Sequence, residues 1–401
     1  MKTDKKPLSI YLHIPFCVKK CNYCDFLSFP KPKDVQKRYL KALANEIRAH
    51  RKELSRYVVE TVFIGGGTPS LPDAKELAEV LGTLWEVAQV AENAEITIEV
   101  NPGTVEEEDL RIYRKAGINR LSIGLQTADN DELACLGRIH TFEDFLKTYK
   151  QAVKSGFTNI NVDLMSAIPG QTMDSYVRTL EKVLALEPAP VHLSAYSLII
   201  EEGTPFYEGV EGLPDEDTER EMYQITDVTL KQHGYHRYEI SNYAKEGYEC
   251  RHNTVYWTRG EYLGFGIGAA SLFRGKRFHN TCDLDKYMEL MEDLIPADDF
   301  LTEKAESCRE DVEILTIEDA MEEFMFLGLR LTRGVSIEEF ETTFQKPFEE
   351  VYPGIAQRLE KDGLITFYTE PESGHKMLAL TDFGLDVSNR VMAVFLLKSD
   401  L

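Results

Sequence analysis

The stretch Tyr11-Leu-His-Ile-Pro-Phe-Cys17-Val-Lys-Lys-Cys21-Asn-Tyr-Cys24 decides how the rest of this 401-residue chain is read. An apolar, strand-like run ends at Pro15, and three thiols follow on one short loop with C-x3-C-x2-C spacing. Three thiolates so placed hold three irons of a [4Fe–4S] cluster and leave the fourth iron open to another ligand. A structural zinc site is the alternative, with His13 or Asp25 completing the tetrahedron. The remaining cysteines, Cys135, Cys250, Cys282 and Cys308, stand singly and form no second C-x2-C pair. Three ligands and one vacancy is the pattern of a reactive cofactor.

Outward from that loop, runs rich in Ile, Val and Leu alternate with stretches long enough for helices. The expected strands are 8–15, 61–64, 95–100, 120–125, 159–165 and 191–198, read as parallel strands covered on both faces. Helices are expected at 35–54, 73–88, 106–115, 142–155 and 174–186, several of them ending at glycines such as Gly117 and Gly156. Six βα units with right-handed crossovers make a parallel sheet, doubly wound or curled into a partial barrel. Cys17, Gly65-Gly-Gly-Thr68, Glu99, Gln126 and Asp163 all fall at the C-terminal ends of successive strands. A barrel brings those ends to one mouth, whereas an open sheet spreads them along an edge. The expected fold is therefore α/β, a partial (β/α)6 TIM-like barrel.

The chain divides into a barrel at 1–235, a connecting region at 236–300 and a C-terminal domain at 301–401. The last contains two expected helices, 336–344 and 348–362, and a hairpin over 364–380 turning at 372–374. Helices followed by a hairpin describe an α+β, winged-helix-like unit. Winged helices often bind DNA, but from Thr316 onward 16 acidic residues face 8 basic ones, which favours packing or protein contact. The whole chain has a formal net charge of -23, which also opposes nucleic-acid binding. Seven unevenly spaced cysteines suit a reducing cytoplasm better than a disulfide framework. The charged start Met1-Lys-Thr-Asp-Lys-Lys does not resemble a signal peptide, and no apolar run is long enough to span a membrane. The apolar stretch 391–397 is read as the buried face of a closing helix.

Gly65-Gly-Gly-Thr-Pro69 lacks the Gly-Lys-[Ser/Thr] of a phosphate loop and the G-x-G-x-x-G of a dinucleotide site. It is a tight turn or, beside an open iron, a cradle for the amino-acid part of a small ligand. Glu99, Gln126, Arg138 and Asp163 are individually weak signals that gain weight by recurring on strand after strand. His252 and Asn253, followed by Tyr256-Trp257, place an imidazole beside flat aromatic surfaces, which suits haem. A core histidine bonded to a backbone carbonyl is the other reading. Gly264-Phe-Gly266-Ile-Gly268 reads as a glycine-rich strand packed near a ligand.

Taken in order, His-Ile-Pro-Phe-Cys17-x3-Cys21-x2-Cys24, Gly-Gly-Gly-Thr-Pro69, Ser122-x-Gly-x-Gln126 and Ile168-Pro-Gly-Gln-Thr172 resemble the radical S-adenosylmethionine (SAM) superfamily. Within it the chain resembles the coproporphyrinogen III oxidase-like branch, and there the haem chaperones, over nearly its whole length. The resemblance implies that Cys17, Cys21 and Cys24 bind the cluster and that SAM chelates the fourth iron. It also implies that Tyr11, Tyr23, Gly66, Gly67, Thr68, Glu99, Gln126, Arg138 and Asp163 line the SAM site. His252-Asn253-x-x-Tyr256-Trp257 matches the chaperones' haem motif, which turns His252 toward a haem contact. Two departures separate the chain from the decarboxylating oxidase: Cys24-Asp25-Phe26 lacks its following cysteine, and only ten residues precede Tyr11. The implied function is a haem-binding chaperone that delivers haem to respiratory haemoproteins, with peripheral membrane contact at most and a homodimer as one admissible assembly. Oxygen-independent coproporphyrinogen III oxidation is the alternative, and a zinc-stabilised interaction protein a third.

Overall fold

The computed structural model describes residues 5–292, 294 and 305–397. Six parallel strands follow one another in space as in sequence: β1 (Lys6–Ile14), β2 (Tyr57–Gly66), β3 (Gln89–Val100), β4 (Arg120–Gln126), β5 (Asn159–Ser166) and β6 (His192–Ser197). The outer faces are apolar. Leu8, Ile10, Leu12 and Ile14 of β1 are buried in one core with Tyr39, Leu40, Leu43 and Ile47 of the helix Lys33–Ala49. The opposite faces are polar, which differs from strands apolar on both sides. Ser9, Thr61, Thr97, Ser122, Asn161 and His192 are all buried in the barrel interior. With side chains alternating at a period of two, each strand turns greasy residues to the helices and polar ones to the lumen.

The barrel is partial because β6 never meets β1. Beyond β6 the sheet continues antiparallel through β8 (Asn242–Ala244) to β7 (His236–Arg237). Beyond β1 it continues through β9 (Tyr262–Phe265), β10 (Ala270–Phe273), β11 (Lys276–Asn280) and β12 (Arg309–Ile314). Of the glycine-rich run, Gly264 and Phe265 lie in β9, parallel to β1, and Gly266 follows the strand with φ of 96°. Strands on both sides of the junction expected at 235 share one sheet; the junction expected at 300 and the first four residues of the charged start lie outside the described residues.

Several helices begin where a side chain satisfies the first turn. Thr172 caps Met173–Leu184 in a reciprocal box with Ser175, and Gln171 donates to the buried Glu132 carboxylate at 3.0 Å. The Ile168-Pro-Gly-Gln-Thr172 motif is thereby a turn-and-cap module. The stretch expected as one helix at 35–54 breaks at His50, whose Nδ1 engages the Glu46 carbonyl at 2.9 Å. That at 348–362 splits into Phe348–Val351 and Ile355–Lys361 around Pro353 and Gly354, the latter with φ of 70°. The helix Asn130–Cys135 was not anticipated.

The C-terminal unit is α+β and winged-helix-like. The helix Ile317–Gly328 leads into a three-stranded sheet of β13 (Val335–Ser336), β15 (Lys376–Leu380) and β14 (Ile365–Thr369). A separate core holds it, built on Met321, Met325, Phe340, Phe344, Tyr352 and Phe395. The stretch 391–397 is helical only as far as Ala393, the end of the helix Ser388–Ala393; Val391, Met392 and Phe395 are buried in that core, while Leu396 and Leu397 are exposed.

Candidate functional site

The cysteine loop leaves β1 at the barrel mouth. Cys17, Cys21 and Cys24 are free thiols, partly exposed, and line a cavity of about 120 Å3 with the glycine turn after β2. Among the described residues no fourth cysteine or histidine lines it. Nor do any three His, Cys, Asp or Glu side chains converge as the ligands of a single ion do. His13 is committed elsewhere, with Nδ1 against the Tyr11 hydroxyl at 3.0 Å and Nε2 against the Leu27 carbonyl at 2.9 Å. A three-thiol set in which each sulfur takes its own iron fits a cluster with one open corner.

The glycines are needed for close approach. A Cβ on Gly67 would lie 2.8 Å from the Phe16 carbonyl and 3.0 Å from Cys17 Sγ, and one on Gly66 2.7 Å from the His13 ring. Thr68 Oγ1 lies 3.3 Å from Cys17 Sγ and accepts from Asn101 Nδ2 at 2.8 Å. Arg138 Nη1 points at Cys21 Sγ from 3.8 Å, while Nη2 donates to Asn101 Oδ1 and the Gly124 carbonyl at 2.9 and 2.8 Å. That guanidinium also touches the Tyr23 hydroxyl. Gln126 ends β4 with φ of 73°, a left-handed conformation that a non-glycine residue rarely keeps outside a constrained site.

Acidic groups occupy the mouth. Glu99 accepts from the Gly66 N–H at 3.1 Å. Burial, with the nearby Asp163 charge second, pushes its pKa up to about 8. Burial also raises Asp163, offset by Asn161 Nδ2 at 2.7 Å and the Ser122 hydroxyl at 3.3 Å. Two reluctant carboxyls here welcome a cationic ligand.

A second cavity of about 690 Å3 adjoins the first and shares Phe26, Gly66 and Glu99 with it. Tyr11, Tyr256, Trp257 and Tyr262 give it an aromatic wall, and Phe326 and Leu327 of the C-terminal unit close the far side. The sequence motifs did not indicate Arg277, Phe326 or Leu327, which reach the cavity from elements distant in the chain.

The structure therefore gathers Tyr23, Gly66, Gly67, Thr68, Glu99, Gln126, Arg138 and Asp163 round the first cavity and Tyr11 at the second. His252 lies one layer behind. It is buried, stacked on Phe63 at 5.2 Å between ring centroids, with Nδ1 2.7 Å from Thr61 Oγ1 and Nε2 2.8 Å from the Tyr256 hydroxyl. Thr61 spends its own proton on Ser9 at 2.7 Å, so Nδ1–H donates to Thr61 and Nε2 accepts from Tyr256. Its partners are hydroxyls, not the backbone carbonyl of the core-histidine reading. Burial and, second, the Arg120 charge lower its pKa to about 3, which keeps the ring neutral. Glu95 fixes the helix Arg251–Trp257 by accepting the His252 and Arg251 N–H groups at 3.0 and 3.1 Å. Tyr256 and Trp257, at the other end of that helix, face the cavity.

A model of the radical SAM superfamily matches residues 11–183, and one of the HemN C-terminal domain matches residues 315–369. The heme chaperone HemW of Bacillus subtilis is 35% identical over 393 residues, covering 97% of this chain and 99% of that protein. HemW of Lactococcus lactis is 36% identical over 400 residues, 98% of each chain, and HemW of Escherichia coli 40% over 264 residues, 66% of this chain and 69% of its own. Coproporphyrinogen III oxidase (HemN) from Escherichia coli, described as a radical SAM enzyme, shares the fold with a TM-score of 0.81 at 24% identity, covering 98% of this chain and 90% of that one. Identity of this order along the full length of both partners settles the family: the chain belongs to the HemW group within the radical SAM superfamily.

Proposed function

We propose that the chain is a haem-binding chaperone on a radical SAM scaffold, which takes haem into the 690 Å3 cavity and passes it to respiratory haemoproteins. The relatives that match it end to end are named heme chaperones. The observation that carries the reading is an aromatic cavity of suitable size whose wall is the Tyr256-Trp257 pair, set directly against the three-thiol cradle. Radical SAM membership implies a [4Fe–4S] cluster and SAM. Cys17, Cys21 and Cys24 would hold the cluster, and Gly66, Gly67, Thr68 and Glu99 the amino-acid end of SAM. Tyr11, Tyr23, Gln126, Arg138 and Asp163 would complete that site. A cluster bound there would supply the reducing chemistry directed at the SAM sulfonium. Around it, Arg138 sets positive charge beside Cys21, and Glu99 and Asp163 offer carboxyls to a cation. His252 would act on haem through Tyr256, whose hydroxyl it orients, or directly once that phenol swings aside.

Seven free cysteines support a cytoplasmic location. Among the described residues no helix is long and apolar enough to cross a membrane. Membrane contact is proposed as peripheral at most, and a homodimer remains compatible with the reading. The fold shared with HemN and the match to its C-terminal domain favour coproporphyrinogen III oxidation as the second reading. The missing cysteine after Cys24 opposes it. Anaerobically reconstituted protein is expected to bind haem on titration and to yield no protoporphyrinogen with coproporphyrinogen III, SAM and reductant. Protoporphyrinogen formation, or absence of haem binding, overturns the proposal.

A further inference from the structure

The wall of the larger cavity contributed by β11 carries Arg277, the one Lys or Arg among the described residues lining it. Its Nη1 lies 2.7 Å from Oε1 of Glu323, a buried carboxylate on the helix Ile317–Gly328. Arg259 Nε holds the other oxygen of that carboxylate at 2.6 Å. Two guanidiniums thus share one carboxylate, which leaves a positive charge uncompensated within the cluster. Glu313, opposite Arg277 across the β11–β12 ladder, is exposed to solvent. The Tyr262 hydroxyl is a further partner of Arg277, and a guanidinium carries five N–H donors, more than these contacts use. In a chain of net charge -23, a cation anchored this way at an aromatic cavity is a recognition device for an anion.

We propose that Arg277 binds a propionate carboxylate of the tetrapyrrole, turning that edge of the ring toward the Arg277–Glu323–Arg259 cluster and laying its face along Tyr256 and Trp257. The inference rests on the haem-binding reading above and adds the group that orients the ligand. Carboxylates leaving water need a charge-assisted partner, and the guanidinium supplies two parallel N–H donors in one plane. Glu323 positions it through its contact with Nη1.

The test titrates the full-length protein with haem and with haem dimethyl ester, whose capped propionates cannot pair with a cation. Wild type is expected to prefer haem over the ester by about ten- to a hundredfold. Arg277→Gln should lose a similar factor for haem while leaving ester affinity unchanged, and Arg277→Lys should recover part of the loss. Equal wild-type affinity for both ligands, or an equal loss of both in Arg277→Gln, overturns the assignment. The wild-type comparison decides the matter even if Arg277→Gln fails to fold. Wild-type binding of neither ligand removes the haem reading as well; binding of both alike removes this one alone.

Discussion

Replacing His252 by alanine tests whether the haem motif is ligand or framework. The ring is fully enclosed against Phe63, so its loss leaves a cavity, at about 2–3 kcal/mol for a core truncation of this size. The buried Nδ1–H bond to Thr61 adds about 1 kcal/mol. The Tyr256 hydroxyl loses its imidazole partner, but Tyr256 lines the cavity, where water can take that partner's place, so it adds little. The sum is about 3–4 kcal/mol, a large share of the stability of an ordinary domain. Urea denaturation of the cofactor-free protein, followed by circular dichroism, should show that loss in His252→Ala and about 1 kcal/mol or less in Tyr256→Phe. Haem titration of both variants, at a temperature where each is folded, then separates the roles. A stability loss below about 1 kcal/mol in His252→Ala, with haem affinity abolished, would refute the framework argument and make the imidazole a direct ligand.

Glu99, raised to about 8, binds its proton more tightly in the folded chain than in the unfolded one. The stabilisation is therefore complete below the ordinary carboxylate range and is lost as pH climbs toward 8, at up to about 1.4 kcal/mol per pH unit. In denaturation curves at pH 6 and 8, Glu99→Gln should show a smaller difference than wild type, and an identical difference would count against the buried carboxyl. Gly67→Ala forces its Cβ to 2.8 Å from the Phe16 carbonyl, costing about 1–3 kcal/mol and lowering the iron and sulfide retained after reconstitution. The control is Gly82→Ala, which meets nothing within 4 Å on a helix and should gain about 0.5–1 kcal/mol with unchanged iron content. Thr172→Ala removes a helix cap and should lower stability by about 1 kcal/mol while leaving haem affinity intact.

What could be read from the chain were features set by local pattern. Each barrel strand announced itself by β-branched runs, and the residues at strand ends could be placed at one mouth because parallel strands all end on the same side. The polar lumen was harder to see, because Ser, Thr and Asn between Ile and Val look like ordinary interruptions of an apolar run. No local signal marks the left-handed conformation of Gln126, the last residue of β4. The far wall of the larger cavity was out of reach for another reason: Arg277 and Phe326 are neighbours of Tyr11 only after the sheet has extended past β1. His252 illustrates the opposite case, a residue recognised by motif whose packing, in the second layer, the motif does not disclose.

The polar lumen also explains why the two halves of the site keep register. The Cys250 N–H donates to the Tyr238 hydroxyl at 3.2 Å, and Tyr238 lies 2.9 Å from His192 Nε2. His192 Nδ1 meets Asn161 Oδ1 at 2.6 Å, an oxygen that can only accept, so Nδ1 holds the proton and Nε2 accepts from Tyr238. Asn161 Nδ2 then donates to Asp163. Each step has one permitted direction, and the chain runs from the helix that carries Tyr256 to the acidic pair at the mouth. Arg120, enclosed at 2% exposure, lies among Cys250, Glu95, Tyr238 and Asp163 and balances the carboxyls. The network is not fully satisfied: Arg120 Nε and Thr97 Oγ1 are buried without a hydrogen-bond partner among the described residues, and such stranded polar groups cost stability. Polar residues at alternate positions of otherwise apolar strands therefore link the aromatic wall to the cluster mouth through directed hydrogen bonds.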